Sequence, residues 1–317
     1  MLGGAGFVGS HLCEALVAGG CDVVCLDNFC TGRAENLLVL GRSPGFSVVD
    51  HDVTNPLPKL GQFDWVFCLA SAASPLDYQR LPIETLRAGA VGTEHGLRLA
   101  RDQGARFVLA STSEVYGDPE ESPQPESYPG RVNPIGPRSV YDEAKRFAEA
   151  MTAAYRRSLD TDTAIARIFN TYGPRMRPDD GRMVPTFIGQ ALAGLPMTVS
   201  GSGQQTRSLC YVTDTVAGLL ALARSSEAGP VNIGNPHEQT VLEVAREIAR
   251  LVGRSAAIDF TPAVEDDPRQ RCPDIRLART LLEWAPTVGV VDGLQRTIDW
   301  FAESGARSEL PIGVLAP

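Results

Sequence analysis

The sequence predicts an α/β fold, a doubly wound parallel sheet with a smaller C-terminal α/β substrate domain. Three observations carry this. Short apolar runs alternate with helical stretches through the first half. A glycine turn, "GGAGFVG" at residues 3–9, opens the chain and a helical pattern follows at once. An acid, Asp27, closes the next apolar run, about 20 residues on.

The elements follow in order. Phe7, Val8, Leu12, Ala15 and Leu16 fall at helical spacing, which predicts a helix over Phe7–Ala18. Strands are predicted at Asp22–Asp27, Phe46–Val49, Trp65–Ala70, Phe107–Ser111 and Thr163–Phe169. Helices at Ile83–Arg101 and Asp142–Arg157 separate the later ones. Strands that alternate with helices pair in parallel, because each crossover returns the chain to the same end of the sheet. Residues 117–138 are crowded with Pro and Gly and read as a long loop, a length that usually signals function. The second half predicts helices at Val184–Ala193, Asp214–Arg224, Val241–Leu251 and Gly293–Phe301, with a strand at Val231–Ile233. The dinucleotide-binding part is expected over 1–167. The substrate-binding part is expected over 168–317, with segments around 208–235 returning to the first. The tail after Ser304 reads as frayed.

The chain has 317 residues, 43% hydrophobic and 21% charged, enough to bury a sizeable core. No apolar run approaches the ~20 residues of a membrane helix, and no basic-then-apolar leader opens the chain. A net charge of −9 without a basic run argues against a nucleic-acid partner. Seven cysteines without a Cys-x-x-Cys pair, and four scattered histidines, point to free thiols in a reducing cytoplasm and to no metal site. Lysine occurs only at Lys59 and Lys145, so a lysine inside a motif is informative.

Gly3, Gly6 and Gly9 permit a tight turn and close approach of backbone to a pyrophosphate. The helix that starts at Phe7 and Val8 then points free N–H groups at that anion. Asp27, with Asn28 beside it, is placed to bond a ribose 2′-OH and to repel a 2′-phosphate, which predicts NAD over NADP; the plainer reading of Asp27 is a turn former. Later strand ends add Asp52, Val53, Ala70 and Ser71 as cofactor contacts in a Rossmann-type site. Only Met1 and Leu2 precede the turn, too few for the strand such a fold places there. The expectation is a natural start further upstream, which an intact mass would test.

The strand at Phe107–Ser111 runs into "STSEVYG", hydroxyls followed by the carboxylate Glu114. A buried polar strand end is costly unless something polar faces it. Some 30 residues on, "YDEAK" places Tyr141 and Lys145 four apart on one helix face. An ammonium near a phenol favours phenolate, which can take a proton from a substrate hydroxyl as hydride leaves to NAD. The plainer reading is a surface pair on an amphipathic helix.

Together the glycine turn, the strand-end Ser-Thr and the Tyr-x-x-x-Lys resemble the extended short-chain dehydrogenase/reductase family, whose members modify nucleotide sugars. "STSEVYGDP", "GRVNPIGPRSVYDEAKR", "RIFNTYGPRM", "GSGQQTRSLCYVTD", "VNIGNP" and "RCPDI" resemble its UDP-glucuronate decarboxylase branch most closely, from Gly3 to about Trp300. The resemblance implies oxidation at C4 by tightly bound NAD, loss of CO2, protonation at C5 and return of the hydride, giving UDP-xylose. It implies that Thr112 and Tyr141 bond the C4 oxygen while Ser113 and Glu114 lie near C5. Glu114 either drives out CO2 by repulsion or holds the water that protonates C5. Arg271 would pair with the substrate carboxylate or the developing enolate. Asn170, Arg182, Gln204, Arg207 and Tyr211 match positions that grip UDP, and Arg138 faces the sugar. Two departures stand out: Cys272, where relatives more often have Lys, and Gly89, where they usually have Asn. A homodimer through the helices at Ile83–Arg101 and Asp142–Arg157 is implied as well. Rival readings are a UDP-uronate 4-epimerase, an oxidative decarboxylase that stops at the 4-ketopentose, and a non-catalytic dinucleotide sensor.

Overall fold

Helix α1 (Phe7–Ala18) leads into β1 (Val23–Asp27), which pairs in parallel with β2 (Phe46–Asp50). After β3 (Trp65–Cys68) come α2 (Pro75–Arg80), α3 (Pro82–Arg87) and α4 (Thr93–Gln103). Then follow β4 (Arg106–Thr112), α5 (Ser139–Leu159) and β5 (Thr163–Ile168). The later chain holds β6 (Thr171–Tyr172), α6 (Met183–Ala193), β7 (Met197–Ser200), β8 (Thr206–Ser208) and β9 (Cys210–Tyr211). It ends with α7 (Val212–Arg224), β10 (Val231–Ile233), β11 (Glu238–Thr240), α8 (Val241–Val252), β12 (Ile258–Thr261), α9 (Arg276–Leu282) and α10 (Val290–Glu303). The structure is a computed structural model that describes residues 1–255, 257–263 and 267–305. The tail expected to fray after Ser304 lies, beyond Gly305, outside the described residues.

Strands β3, β4, β5 and β10 lie side by side, all parallel. Leu2 joins them to the β1–β2 pair: it bridges Leu26 on one side and Cys68 on the other. Its N–H bonds the Phe67 carbonyl at 2.9 Å, and the Gly3 N–H bonds the Leu26 carbonyl at 2.8 Å. The glycine turn therefore leaves the middle of the sheet at its C-terminal edge. That is where open α/β sheets bind ligands. Every residue of β4 is buried, as expected of a strand covered on both faces. Away from this sheet, β7 and β12 pair in parallel, and Val199 shares a core with Ile188 of α6, Ile248 of α8 and Ile298 of α10.

The single helix predicted over Ile83–Arg101 is corrected by the structure. Residues Ala88–Gly92 form a π-helical turn between α3 and α4. Two glycines explain the break. A Cβ on Gly89 would lie 2.7 Å from the Ala144 Cβ of α5, and one on Gly92 would lie 2.7 Å from Val53. The helix is squeezed from both sides there, and only residues without a side chain fit. The strand predicted to Ala70 ends at Cys68: the Leu69 N–H still completes the pairing with Leu2, and from there Leu69, Ala70 and Ser71 run along the cleft and line it. The short strands β6 to β9, β11 and β12 have two to four residues, too few for an alternation signal. The 117–138 loop carries only bridges, Gly117 to Arg131 and Gln124 to Pro273. Among the described residues no helix is long and apolar enough to cross a membrane.

Candidate active site

One long cleft runs along the C-terminal edge of the sheet, and Gly3, Gly6, Thr31, Leu69 and Ser71 line both of its halves. On one wall, α1 begins at Gly6 without a side-chain cap; its first intrahelical bond runs from Ser10 N–H to Gly6 carbonyl. The amides of Phe7, Val8 and Gly9 are thus left for another acceptor. Glycine is required at residue 9, where a Cβ would lie 2.2 Å from the Gly3 carbonyl oxygen. At Gly6 the nearest protein atom to a Cβ is 3.6 Å away, and the residue borders the open cleft.

Asp27 is 8% exposed and accepts the N–H of Ala5 (2.8 Å) and of Phe29 (2.9 Å). Burial raises its pKa, and those two amides pull it back. The carboxylate thus holds the glycine turn while lining the cleft, with lone pairs left for a ligand hydroxyl. Asn28 donates to Asp52 at 3.2 Å, and Asp52, Val53, Ala70 and Ser71 complete this half. Ser71 Oγ is buried without a partner and faces both halves, and Asn170 Oδ1 is equally orphaned. Unmet polar atoms of this kind, beside a turn with room at Gly6, fit a dinucleotide.

The other wall starts at the end of β4. Tyr141 stands in the first turn of α5, and Lys145 lies one turn on. The Lys145 Nζ donates to the Ala110 carbonyl at 2.8 Å and lies 5.8 Å from the Tyr141 ring centre. Burial lowers the lysine pKa and raises that of Tyr141; a hydrogen bond with Thr112 draws the phenol back down. Thr112 also accepts the Glu114 N–H at 3.2 Å, which caps the 3₁₀ turn Ser113–Tyr116. The Tyr141 ring stacks on Tyr78 of α2, centres 5.6 Å apart and planes 10° from parallel.

Glu114 is gripped by two guanidiniums. Arg271 binds both of its oxygens, the second contact at 2.9 Å, and Arg138 binds one at 2.7 Å. Burial works against the charge, but Arg271 and then Arg138 hold this carboxyl far below the usual range. Arg138 also lies 3.7 Å from Asp267, which Arg207 binds at 2.7 Å. Three guanidiniums against two carboxylates leave this cluster one positive charge. Asp142, behind Tyr141, is 5% exposed with Oδ1 unpartnered; burial, then Glu114, push its pKa from 3.8 up to about 7.

The cleft brings together Thr112, Ser113, Glu114, Tyr141, Lys145, Asn170, Arg182 and Arg271 with the glycine-side residues. Arg138 and Arg207 stand one layer behind, tied in through Glu114 and Asp267. Two expected substrate contacts are elsewhere. Tyr211 packs its ring on Tyr172 and the Arg296 guanidinium, in space that Gly293 leaves open. Gln204 is exposed in the turn after Gly203 and does not border the cleft. Tyr78, Asp142, Arg175 and Arg177 were not singled out from the sequence. Only the arginine pair had a signal, a run of charge just after Asn170.

A cleft of this kind belongs to enzymes that pass a hydride between a dinucleotide and a bound alcohol. Residues 1–234 match the NAD dependent epimerase/dehydratase family, and this chain is a member of it. It is 50% identical over 299 residues to UDP-glucuronic acid decarboxylase 1 of Arabidopsis thaliana, covering 94% of this chain and 68% of that one. It superposes on UDP-glucose 4-epimerase from Thermotoga maritima with a TM-score of 0.89 at 26% identity, covering 96% and 98%. UDP-glucuronic acid 4-epimerase from Bacillus cereus, a variant in complex with NAD and a fluorinated UDP-glucuronic acid, gives 0.83 at 28%, covering 96% and 98%. NAD is the cofactor of this family.

Proposed function

We propose that this protein converts UDP-glucuronate to UDP-xylose and CO2. The observation that carries the reading is Arg271, buried against Glu114 in the same cleft as Tyr141 and Thr112. It agrees with the decarboxylases that are half identical to the chain. NAD held along the Gly3–Gly9 turn and Asp27 would supply the hydride acceptor for C4 and the hydride that restores it. Tyr141 takes the proton of the C4 hydroxyl and gives it back to the C4 oxygen when that carbon is reduced again, with the Lys145 charge and the Thr112 hydroxyl favouring phenolate in between. The C4 ketone is β to the carboxylate, so the electrons of the departing CO2 flow into an enolate. The net positive cluster of Arg271 and Arg138 draws the substrate carboxylate in. That balance speaks against Glu114 acting by repulsion. A carboxyl held so firmly ionised is also a poor acid, so Glu114 orients the water that protonates C5.

Asn170 and Arg182 hold the UDP part, with Arg207 behind them. The NAD part spans 1–167 and the UDP-sugar part begins at 168, with 208–235 returning to the first. β10, which pairs with β5, supports that return. The chain forms a homodimer through α3 to α5, a reading supported by exposed Ile83 and Leu86 on α3 and Phe147 on α5. Seven free thiols support a cytoplasmic location.

The test is incubation with UDP-glucuronate and catalytic NAD, followed by NMR. The expected result is UDP-xylose, CO2 and unchanged NAD. UDP-galacturonate without CO2 would replace this reading with 4-epimerisation, and a 4-ketopentose with stoichiometric NADH would replace it with the oxidative reaction.

A further inference from the structure

Arg271 arrives from a segment with no regular structure, yet it is only 3% exposed and meets a carboxylate 157 residues away. Something must fix that segment. Gln124, at 0% exposure in the long loop, clasps it on both sides. Its N–H donates to the Cys272 carbonyl, and its Oε1 accepts the Cys272 N–H, both at 2.7 Å. Its own carbonyl accepts the Asp274 N–H at 3.0 Å. That carbonyl also accepts from Asn232 Nδ2 at 2.9 Å, and Asn232 is again 0% exposed. The Oδ1 of Asn232 accepts the Tyr116 hydroxyl at 2.7 Å. Tyr116 closes the 3₁₀ turn that carries Glu114. One chain of buried hydrogen bonds therefore runs from the Glu114 turn through Tyr116, Asn232 and Gln124 to the residue after Arg271.

We propose that Gln124 and Asn232 are positioning residues that set Arg271 against Glu114 at the spacing the carboxylate chemistry needs. The inference rests on the role given to Arg271 above. Neither amide borders the cleft, so they act through the arginine rather than on substrate. Buried polar networks specify one geometry because each unmet group would be costly. A guanidinium displaced by about 1 Å loses its aim.

The test compares Gln124→Met, Arg271→Ala and the double variant. The readouts are the rate of CO2 release at saturating UDP-glucuronate, the affinity for UDP, the bound NAD content and the melting temperature. Gln124→Met is expected to slow CO2 release about tenfold or more with UDP affinity and NAD content unchanged, and to cost nothing further in the Arg271→Ala background. Tyr116→Phe breaks the same chain more gently and carries the test should Gln124→Met fail to fold; it is expected to slow release by less. An unchanged rate in both variants, or full additivity with Arg271→Ala, overturns the inference. If Arg271→Ala itself leaves CO2 release intact, the role of Arg271 fails first, and the proposal with it.

Discussion

Across the cleft, the turn at Gly3–Gly9 offers backbone amides while the end of β4 offers charges. The first wall is local at its centre: the seven residues of the turn and one acid at the next strand end set it, and glycines decide its shape. The second is assembled from Glu114, Arg138, Asp267, Arg207 and Arg271, which meet only after folding. A backbone wall binds what every dinucleotide shares. A charged wall selects one substrate, because a misplaced guanidinium is worth little.

Variants can separate the two. Tyr141→Phe strikes where the walls meet and is expected to cost about 10²- to 10⁴-fold in turnover with NAD still bound. Stopped-flow hydride transfer measures it, and a near-normal rate would remove the phenol from the chemistry. Arg271→Ala damages the charged wall alone. CO2 release should fall about 10²- to 10³-fold while NAD content holds; equal loss of both would make the arginine a scaffold residue. Gly9→Ala damages the backbone wall alone. Its Cβ meets the Gly3 carbonyl oxygen, so the turn must open, at about 1–3 kcal/mol. Calorimetry should then show weaker NAD binding with UDP affinity kept.

The smallest effect concerns Asp142. Its folded pKa is raised, so between about pH 4 and 7 the folded chain keeps a proton that the unfolded chain has released. Stability from this group is full below pH 4 and is lost as pH rises toward 7. Asp142→Asn should flatten that decline in melting temperature, with turnover little changed at pH 6. A parallel decline in both proteins would mean that the carboxyl is ionised throughout.

The contrast also explains what the sequence could tell. The glycine turn and the Tyr141–Lys145 pair follow from spacing within one helix or turn, and α1 runs over the predicted residues. Arg138 and Arg271 have no such spacing and were named only through resemblance. Tyr211 was expected in the cleft because its block matches as a whole. The block is divided at Leu209: β8 pairs with β11 and β9 with β6, so neighbours in that block face different surroundings. Tyr78 was invisible, since an aromatic in a short helix gives no hint that another ring will stack on it.

The wide turn at Ala88–Gly92 makes the rod from Pro82 to Gln103 a phase-shifted one. Rewinding these five residues at the uniform α twist of about 100° each, with none removed, would rotate everything beyond them by roughly a quarter turn. Leu97 and Ala100, now at 0% exposure, would swing out of the core. The wide winding of that turn is therefore as strict a requirement as its glycines: losing one residue and tightening to α geometry together would keep Leu97 and Ala100 inward, whereas either change alone would turn them out.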